Sequence, residues 1–188
     1  MNEPFPYIPL QMEHGGLTGA VRLPLPEGYA LRLYVAGDCA HWARITAAAG
    51  EFACETAALD HFRREFGGYD DALARRCLFL LDVAGYPVGT AMGWFFADES
   101  ETGRLHWVSI VPEHQGRGLS KPLVADAMAV MADLGHRTAR LTTQPKSWKG
   151  IKAYLDLGWK PYDNGHAEYL TGWRLVEERI TPPPSSGS

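Results

Sequence analysis

Gly116 and Gly118 are one residue apart, with an apolar run before them and a helical pattern after, and that placement suits anion binding. Leu105-His106-Trp107-Val108-Ser109-Ile110-Val111 reads as a buried strand, Pro112-Glu113-His114-Gln115 leads to the glycines, and a helix begins near Gly118. Glycine bends tightly and leaves no side chain in the way of a ligand. A helix start adds N–H groups without intrahelical partners and the positive end of a dipole, which suits a phosphate. A glycine turn that runs into a helix start is therefore expected to anchor an anionic ligand. The Arg117 guanidinium adds attraction, whereas Lys121 reads equally as a phosphate contact or a surface charge. Glu113 and His114 read as a solvated turn.

His106 lies on the same strand and titrates in the range useful to a base. A structural histidine is the competing reading. On a regular strand His106, Val108 and Ile110 share one face and Leu105, Trp107 and Ser109 the other, unless a bulge re-aims them. Tyr154 stands on a later helix, where its phenol can donate without carrying charge. Its plainer role is packing beside Ile151.

The elements that must hold these residues are legible from periodicity. Residues 1–25, rich in proline and glycine, are expected to form an N-terminal arm, 26–180 a single domain, and 181–188 a disordered tail. Alternation predicts a strand over Ala30–Val35. Asp38 and Thr56 are expected to cap two helices, the first running through Ala49, the second presenting Leu59, Phe62 and Phe66 and ending at Gly67-Gly68. Strands over Leu78–Val83 and Val88–Phe96 form an antiparallel hairpin, and Asp98–Gly103 a polar turn before the strand Arg104–Val111. Leu119 to Leu134 has helical spacing. A strand over Thr138–Thr143 follows, joined to the preceding one by a right-handed crossover and so parallel to it. Ser147 caps a helix through Leu157 that stops at Gly158, and strands over Trp159–Tyr162 and Glu168–Val176 complete the set.

The 188 residues suit one domain, and 46% hydrophobic with 21% charged residues is ordinary for a soluble protein. A net charge of −4 argues against a general nucleic-acid binder. Cys39, Cys54 and Cys77, an odd count at irregular spacing, read as reduced, small buried hydrophobes rather than a disulfide framework or a metal clip. The N-terminus lacks an apolar signal segment, and no run is long enough to span a membrane. A cytoplasmic protein that engages no nucleic acid, membrane or metal is the expectation.

Two separated motifs agree on a family. Gln115-Gly116-Arg117-Gly118-Leu119-Ser120 resembles the Gln/Arg-x-x-Gly-x-Gly/Ala loop of the GCN5-related N-acetyltransferase (GNAT) superfamily. Ser147-Trp148-Lys149-Gly150-Ile151-Lys152-Ala153-Tyr154-Leu155-Asp156-Leu157-Gly158-Trp159 resembles its Asn-x-x-Ala-x-x-x-Tyr-x-x-x-Gly-Phe helix. Ser120, Ser147 and Gly150 depart from the pattern. Ser120 keeps its backbone N–H, and Ser147, shorter than the usual asparagine, is the residue the resemblance implies against the pantetheine arm.

The resemblance implies an α/β fold: a mixed, mostly antiparallel sheet of six to seven strands, flanked by helices and splayed at an acyl-CoA site. It implies acetyl-CoA as co-substrate, with the pyrophosphate on residues 116–121 and the pantetheine amides on the backbone of Val108, Ser109 and Ile110. It implies that Tyr154 protonates the departing sulfur. The strand also resembles the arylalkylamine acetyltransferases at His106, which implies a base acting through water. The acceptor would enter beside the first helices and the hairpin, where Glu51, Phe52, Trp94, Asp98, Glu99 and Glu101 stand. Acids there suit a cationic small-molecule amine, and Trp94 or Trp107 an apolar body, against the plainer reading as turn acids and core tryptophans. A homodimer is the base-rate expectation. The competing functions are a non-catalytic acyl-CoA-binding or regulatory module of the same fold and, far behind, a nucleotide-phosphate binder, which lacks its Gly-Lys-Ser/Thr or Gly-x-Gly-x-x-Gly signature.

Overall fold

The eight residues from Pro87 to Trp94, apolar except for Thr90, are all buried, without alternation. A strand of that kind needs cover on both faces. The computed structural model describes residues 7–163 and 165–181. Seven strands and six helices are found among them: β1 (Leu10–His14), β2 (Ala30–Leu33), α1 (Cys39–Ala48), α2 (Glu55–Phe66), α3 (Asp70–Arg76), β3 (Cys77–Leu81), β4 (Pro87–Phe96), β5 (Glu99–Ile110), α4 (Ser120–Asp133), β6 (Thr138–Thr143), α5 (Trp148–Asp156), β7 (Lys160–Tyr162) and α6 (Tyr169–Ile180). Gly15–Ala139 form one compact unit, and the described residues up to His14 and from Arg140 form a second.

In the larger unit β2, β3, β4 and β5 lie side by side, each pair antiparallel. The side chains of β4 alternate between two layers. Gly93 faces α4, where an added Cβ would meet the Ala127 carbonyl, Met131 and Val130. Trp94 faces the other way and meets Phe66 of α2 edge-on, ring centroids 5.0 Å apart. Trp42, fully buried on α1, packs against Phe62 and Phe66 in that second layer.

In the smaller unit β6, β1 and β7 are neighbours in that order, and β1 pairs antiparallel with β7. α6 packs close to β1 through Gly172, where a Cβ would come within 2.7 Å of Leu10 and 2.9 Å of Ile8.

The expected hairpin over β3 and β4, the helix after the glycines and the strand Thr138–Thr143 are all present. The expected strand over Glu168–Val176 is a helix instead: Trp173 and Val176, three residues apart, share its buried side with Gly172. Within the stretch read as an arm, Leu10–His14 is a strand, with Ile8, Leu10 and Met12 alternating into the core. The expected turn over Asp98–Gly103 is shorter, because β5 already starts at Glu99. α3 lies where no helix was expected. Asp38, Cys54 and Ser147 precede their helices without a side-chain cap, and Thr56 lies inside α2. Of the cysteines only Cys77 is buried; Cys54 is exposed. The tail call falls, apart from Thr181, outside the described residues. No helix among the described residues is long and apolar enough to cross a membrane.

Candidate functional site

The strand that carries His106 is bulged. Met92 pairs with His106 while Thr90 pairs with Ser109, so β5 fits one residue more than β4 between the two pairs. Trp107 absorbs the insertion at φ 48°, the one positive φ outside glycine among the described residues. Such a conformation costs about 1–3 kcal/mol, and surrounding contacts must hold it. Its effect is to switch the facing order. His106 is joined on its side by Trp107 and Ser109, while Val108 and Ile110 turn to the opposite face. The expected grouping of His106 with Val108 and Ile110 is therefore corrected.

Both re-aimed rings meet α2. His106 Nε2 lies 2.6 Å from Glu65 Oε1, and Trp107 Nε1 donates to Glu65 Oε2 at 2.9 Å. His61, one turn before Glu65, reaches Oε2 through its Nε2 at 2.8 Å. Arg104 Nη1 stands 4.0 Å from Oε1. An aromatic shell surrounds the carboxylate. Phe52 stacks on Trp107 with centroids 5.3 Å apart, His61 meets Trp107 edge-on at 5.2 Å, and Phe66 meets His106 at 6.2 Å.

Burial works to raise the Glu65 carboxyl, but its bonds to His106, Trp107 and His61 outweigh that and hold it down at about 2. Burial lowers His106, with the Glu65 carboxylate opposing and Arg104 and His61 reinforcing. The side chain of His106 is 13% exposed. A largely neutral imidazole beside a fixed anion is what a base at neutral pH requires.

The glycine loop is built as an open turn. Pro112–His114 make one turn of 3-10 helix, and Gln115 Nε2 then donates to the Ile110 carbonyl at 2.8 Å, closing the end of β5. Gly116 and Gly118 sit at φ +74° and +76°, and a Cβ on either would meet nothing within 4 Å. Leu119 is buried and anchors the start of α4, while Gly116, Arg117 and Gly118 are exposed. Ser120 opens the helix and Lys121 follows in its first turn. A backbone bared at the N-terminus of a helix has the shape and sign to receive a pyrophosphate, so the residues present fit coenzyme A. Arg117 is turned to the loop itself: its Nη2 donates to the Glu113 carbonyl at 2.8 Å and its Nη1 to the Tyr29 hydroxyl at 3.3 Å. That hydroxyl also lies 2.9 Å from His114 Nδ1, so His114 is tied into the turn rather than simply solvated.

In the smaller unit Tyr154 is 8% exposed on α5. Its ring folds back over Gly150, whose missing Cβ would stand 3.7 Å from the hydroxyl. An alanine there, the residue of the family pattern, would thus make only an ordinary contact with the phenol. Trp159, fully buried, holds the end of that helix through its N–H to the Tyr154 carbonyl at 3.1 Å. Ser147 is half-buried just before α5.

The acceptor-side residues are dispersed. Phe52 joins the shell around Trp107, and Trp94 is a core residue against Phe66 and Phe95. Glu101 is exposed and pairs with Arg137 at 3.8 Å. Glu65, His61 and Arg104 escaped the sequence reading. The available signal was the i,i+4 pair His61 and Glu65, on the border of the apolar stripe formed by Phe62 and Phe66.

A family model described as the acetyltransferase (GNAT) family matches residues 40–159. The chain belongs to the GNAT family. The matched run takes in every residue expected to act at the site. Two curated relatives are called mycothiol acetyltransferase. The one from Kytococcus sedentarius is 28% identical over 72% of this chain and 47% of its own length. The one from Pseudarthrobacter chlorophenolicus is 29% identical over 74% and 45%. The chain thus spans just under half the length of these relatives. A solved GCN5-related N-acetyltransferase from Sphaerobacter thermophilus superposes with a TM-score of 0.63 at 21% identity, covering 82% of this chain and 48% of that one. The fold is that of the family.

Proposed function

We propose that this chain is an acetyl-CoA-dependent N-acetyltransferase that moves an acetyl group to a primary amine of a small molecule. The observation that carries the reading is the open turn at Gly116 and Gly118 on the N-terminus of α4, in a chain of the GNAT family. The bound coenzyme would supply a thioester-activated acetyl group. The backbone of residues 116–121 would hold its pyrophosphate, and that of Val108, Ser109 and Ile110 its amide-bearing arm. An alkyl ammonium with a pKa near ~10 must lose a proton before it attacks, and His106 is the base. Tyr154, uncharged at neutral pH, gives its hydroxyl proton to the departing sulfur.

The name printed for the relatives, mycothiol acetyltransferase, makes small thiol-bearing amines and other small amines the acceptors to try first. The test is a thiol-release screen with acetyl-CoA over amino acids, polyamines, arylalkylamines, aminoglycosides and small thiol-bearing amines. Release with one class, lost in Tyr154→Phe, supports the reading. Calorimetric binding of acetyl-CoA without release across the panel would favour a non-catalytic acyl-CoA-binding module.

A further inference from the structure

Three hydrogen-bonding groups and one arginine, from two elements, converge on Glu65. Oε1 faces His106 Nε2 at 2.6 Å and Arg104 Nη1 at 4.0 Å, and Oε2 faces His61 Nε2 at 2.8 Å and Trp107 Nε1 at 2.9 Å. An indole nitrogen can only donate, so Oε2 accepts from Trp107. An ionised carboxylate has no hydrogen to give, so any imidazole nitrogen facing it closely must carry one. His106 therefore holds its hydrogen on Nε2, and the lone pair of the ring lies on Nδ1. Among the described residues Nδ1 has no hydrogen-bond partner. Glu65 and His61 on α2, and Arg104 on β5, are the charged or titratable groups that act on this ring.

We infer that Glu65 is a positioning residue that locks His106 in the Nε2–H tautomer, which makes Nδ1 the atom that takes the proton from the acceptor amine. The inference rests on the reading of His106 as the base. In the step, an N–H bond of the acceptor breaks and its electron pair stays on the acceptor nitrogen. The proton bonds to Nδ1, and His106 becomes an imidazolium with a hydrogen on each nitrogen. Glu65 keeps its charge throughout and accepts the Nε2–H bond before and after. The bulge is what makes the lock available. On a regular strand His106 and Trp107 would point to opposite faces, and one carboxylate could not accept from both. Trp107 and His61 share Oε2 and stop the carboxylate from turning away from His106.

Long-range 1H–15N correlation spectra of the full chain, labelled at histidine nitrogen, test the lock directly. We expect His106 to show a protonated Nε2 and a bare, pyridine-like Nδ1 above its titration. Glu65→Gln removes the anion and keeps the shape. There the two tautomers should mix, the His106 midpoint should fall, and the acid limb of kcat/KM should move to lower pH. Turnover should drop at least tenfold with the KM for acetyl-CoA unchanged. A protonated Nδ1 in the unaltered protein overturns the inference, as does an unchanged tautomer and midpoint in folded Glu65→Gln. If Glu65→Gln does not fold, the tautomer of the unaltered protein decides alone. Full turnover in His106→Ala overturns the base reading and the proton's destination with it, whatever tautomer the spectra show, so the two failures are separable.

Discussion

Gly93 and Gly103 let α4 lie close against β4 and β5, and substituting each by alanine should give different results. On Gly93 a Cβ would stand 2.8 Å from the Ala127 carbonyl oxygen, 2.9 Å from Met131 Cγ and 3.2 Å from Val130 Cγ1. The first of these is backbone and moves only if α4 moves. On Gly103 the Cβ would meet Met131 Sδ first, then Cγ at 3.0 Å, and the end of a methionine can swing aside. Overpacking costs ~1–3 kcal/mol, and alanine recovers ~0.5–1 kcal/mol relative to glycine inside a strand. Gly93→Ala, against rigid backbone, should thus lose up to about 2 kcal/mol net, while Gly103→Ala should stay close to neutral. At this chain length ~2 kcal/mol lowers Tm by roughly 4–8 °C. Because the loop at residues 116–121 rides on the start of α4, Gly93→Ala should also weaken acetyl-CoA binding where Gly103→Ala does not. Thermal unfolding followed by circular dichroism, with calorimetry of acetyl-CoA, measures both. Equal Tm values for the two variants, or a larger loss in Gly103→Ala, would refute the claim that backbone contact decides the cost.

Further outcomes follow from the site and its surroundings. Tyr154→Phe should cut turnover substantially in steady-state kinetics and leave acetyl-CoA affinity near its original value; unchanged turnover removes the phenol from the reaction. Gly118→Ala meets no clash but forces a side chain into φ +76°, so denaturant titration should show a loss of about 1–2 kcal/mol, and calorimetry weaker acetyl-CoA binding. Buried His136 accepts from Arg76 at Nε2 (3.1 Å) and donates from Nδ1 to the Ser100 carbonyl (3.0 Å), and burial followed by Arg76 lowers its pKa. A histidine held below its unfolded value stabilises the fold above about pH 6.5, and that contribution is lost as pH falls through the folded value. Tm should therefore drop on acidification below pH ~6.5, less steeply in His136→Gln, and a parallel pH dependence in the two proteins would count against it.

Local pattern was enough for much of the architecture. Turn chemistry and short spacing marked the hairpin of β3 and β4, helical spacing marked α4, and the glycine pair marked the turn ahead of it. Each of these signals lies in one short stretch of chain and reflects local backbone chemistry. The same approach misread Glu168–Val176 as a strand, where Gly172, Trp173 and Val176 form the buried side of a helix and the apolar positions alone were compatible with either. It passed over β1 because prolines and glycines outweighed the alternation of Ile8, Leu10 and Met12.

His106 and Tyr154 could be picked out from residue type, spacing and family likeness. The surroundings that would set the proton chemistry of His106 could not. Glu65 is 41 residues away along the chain, and it meets the imidazole only because α2 packs on the face to which β5 turns both His106 and Trp107. That turn depends on one extra residue in the register of β5 against β4. A bulge is a mismatch between two strands, and neither strand's own sequence states it. The sequence by itself therefore determined most of the elements and the open glycine turn, while tertiary packing decided which nitrogen of His106 faces an anion.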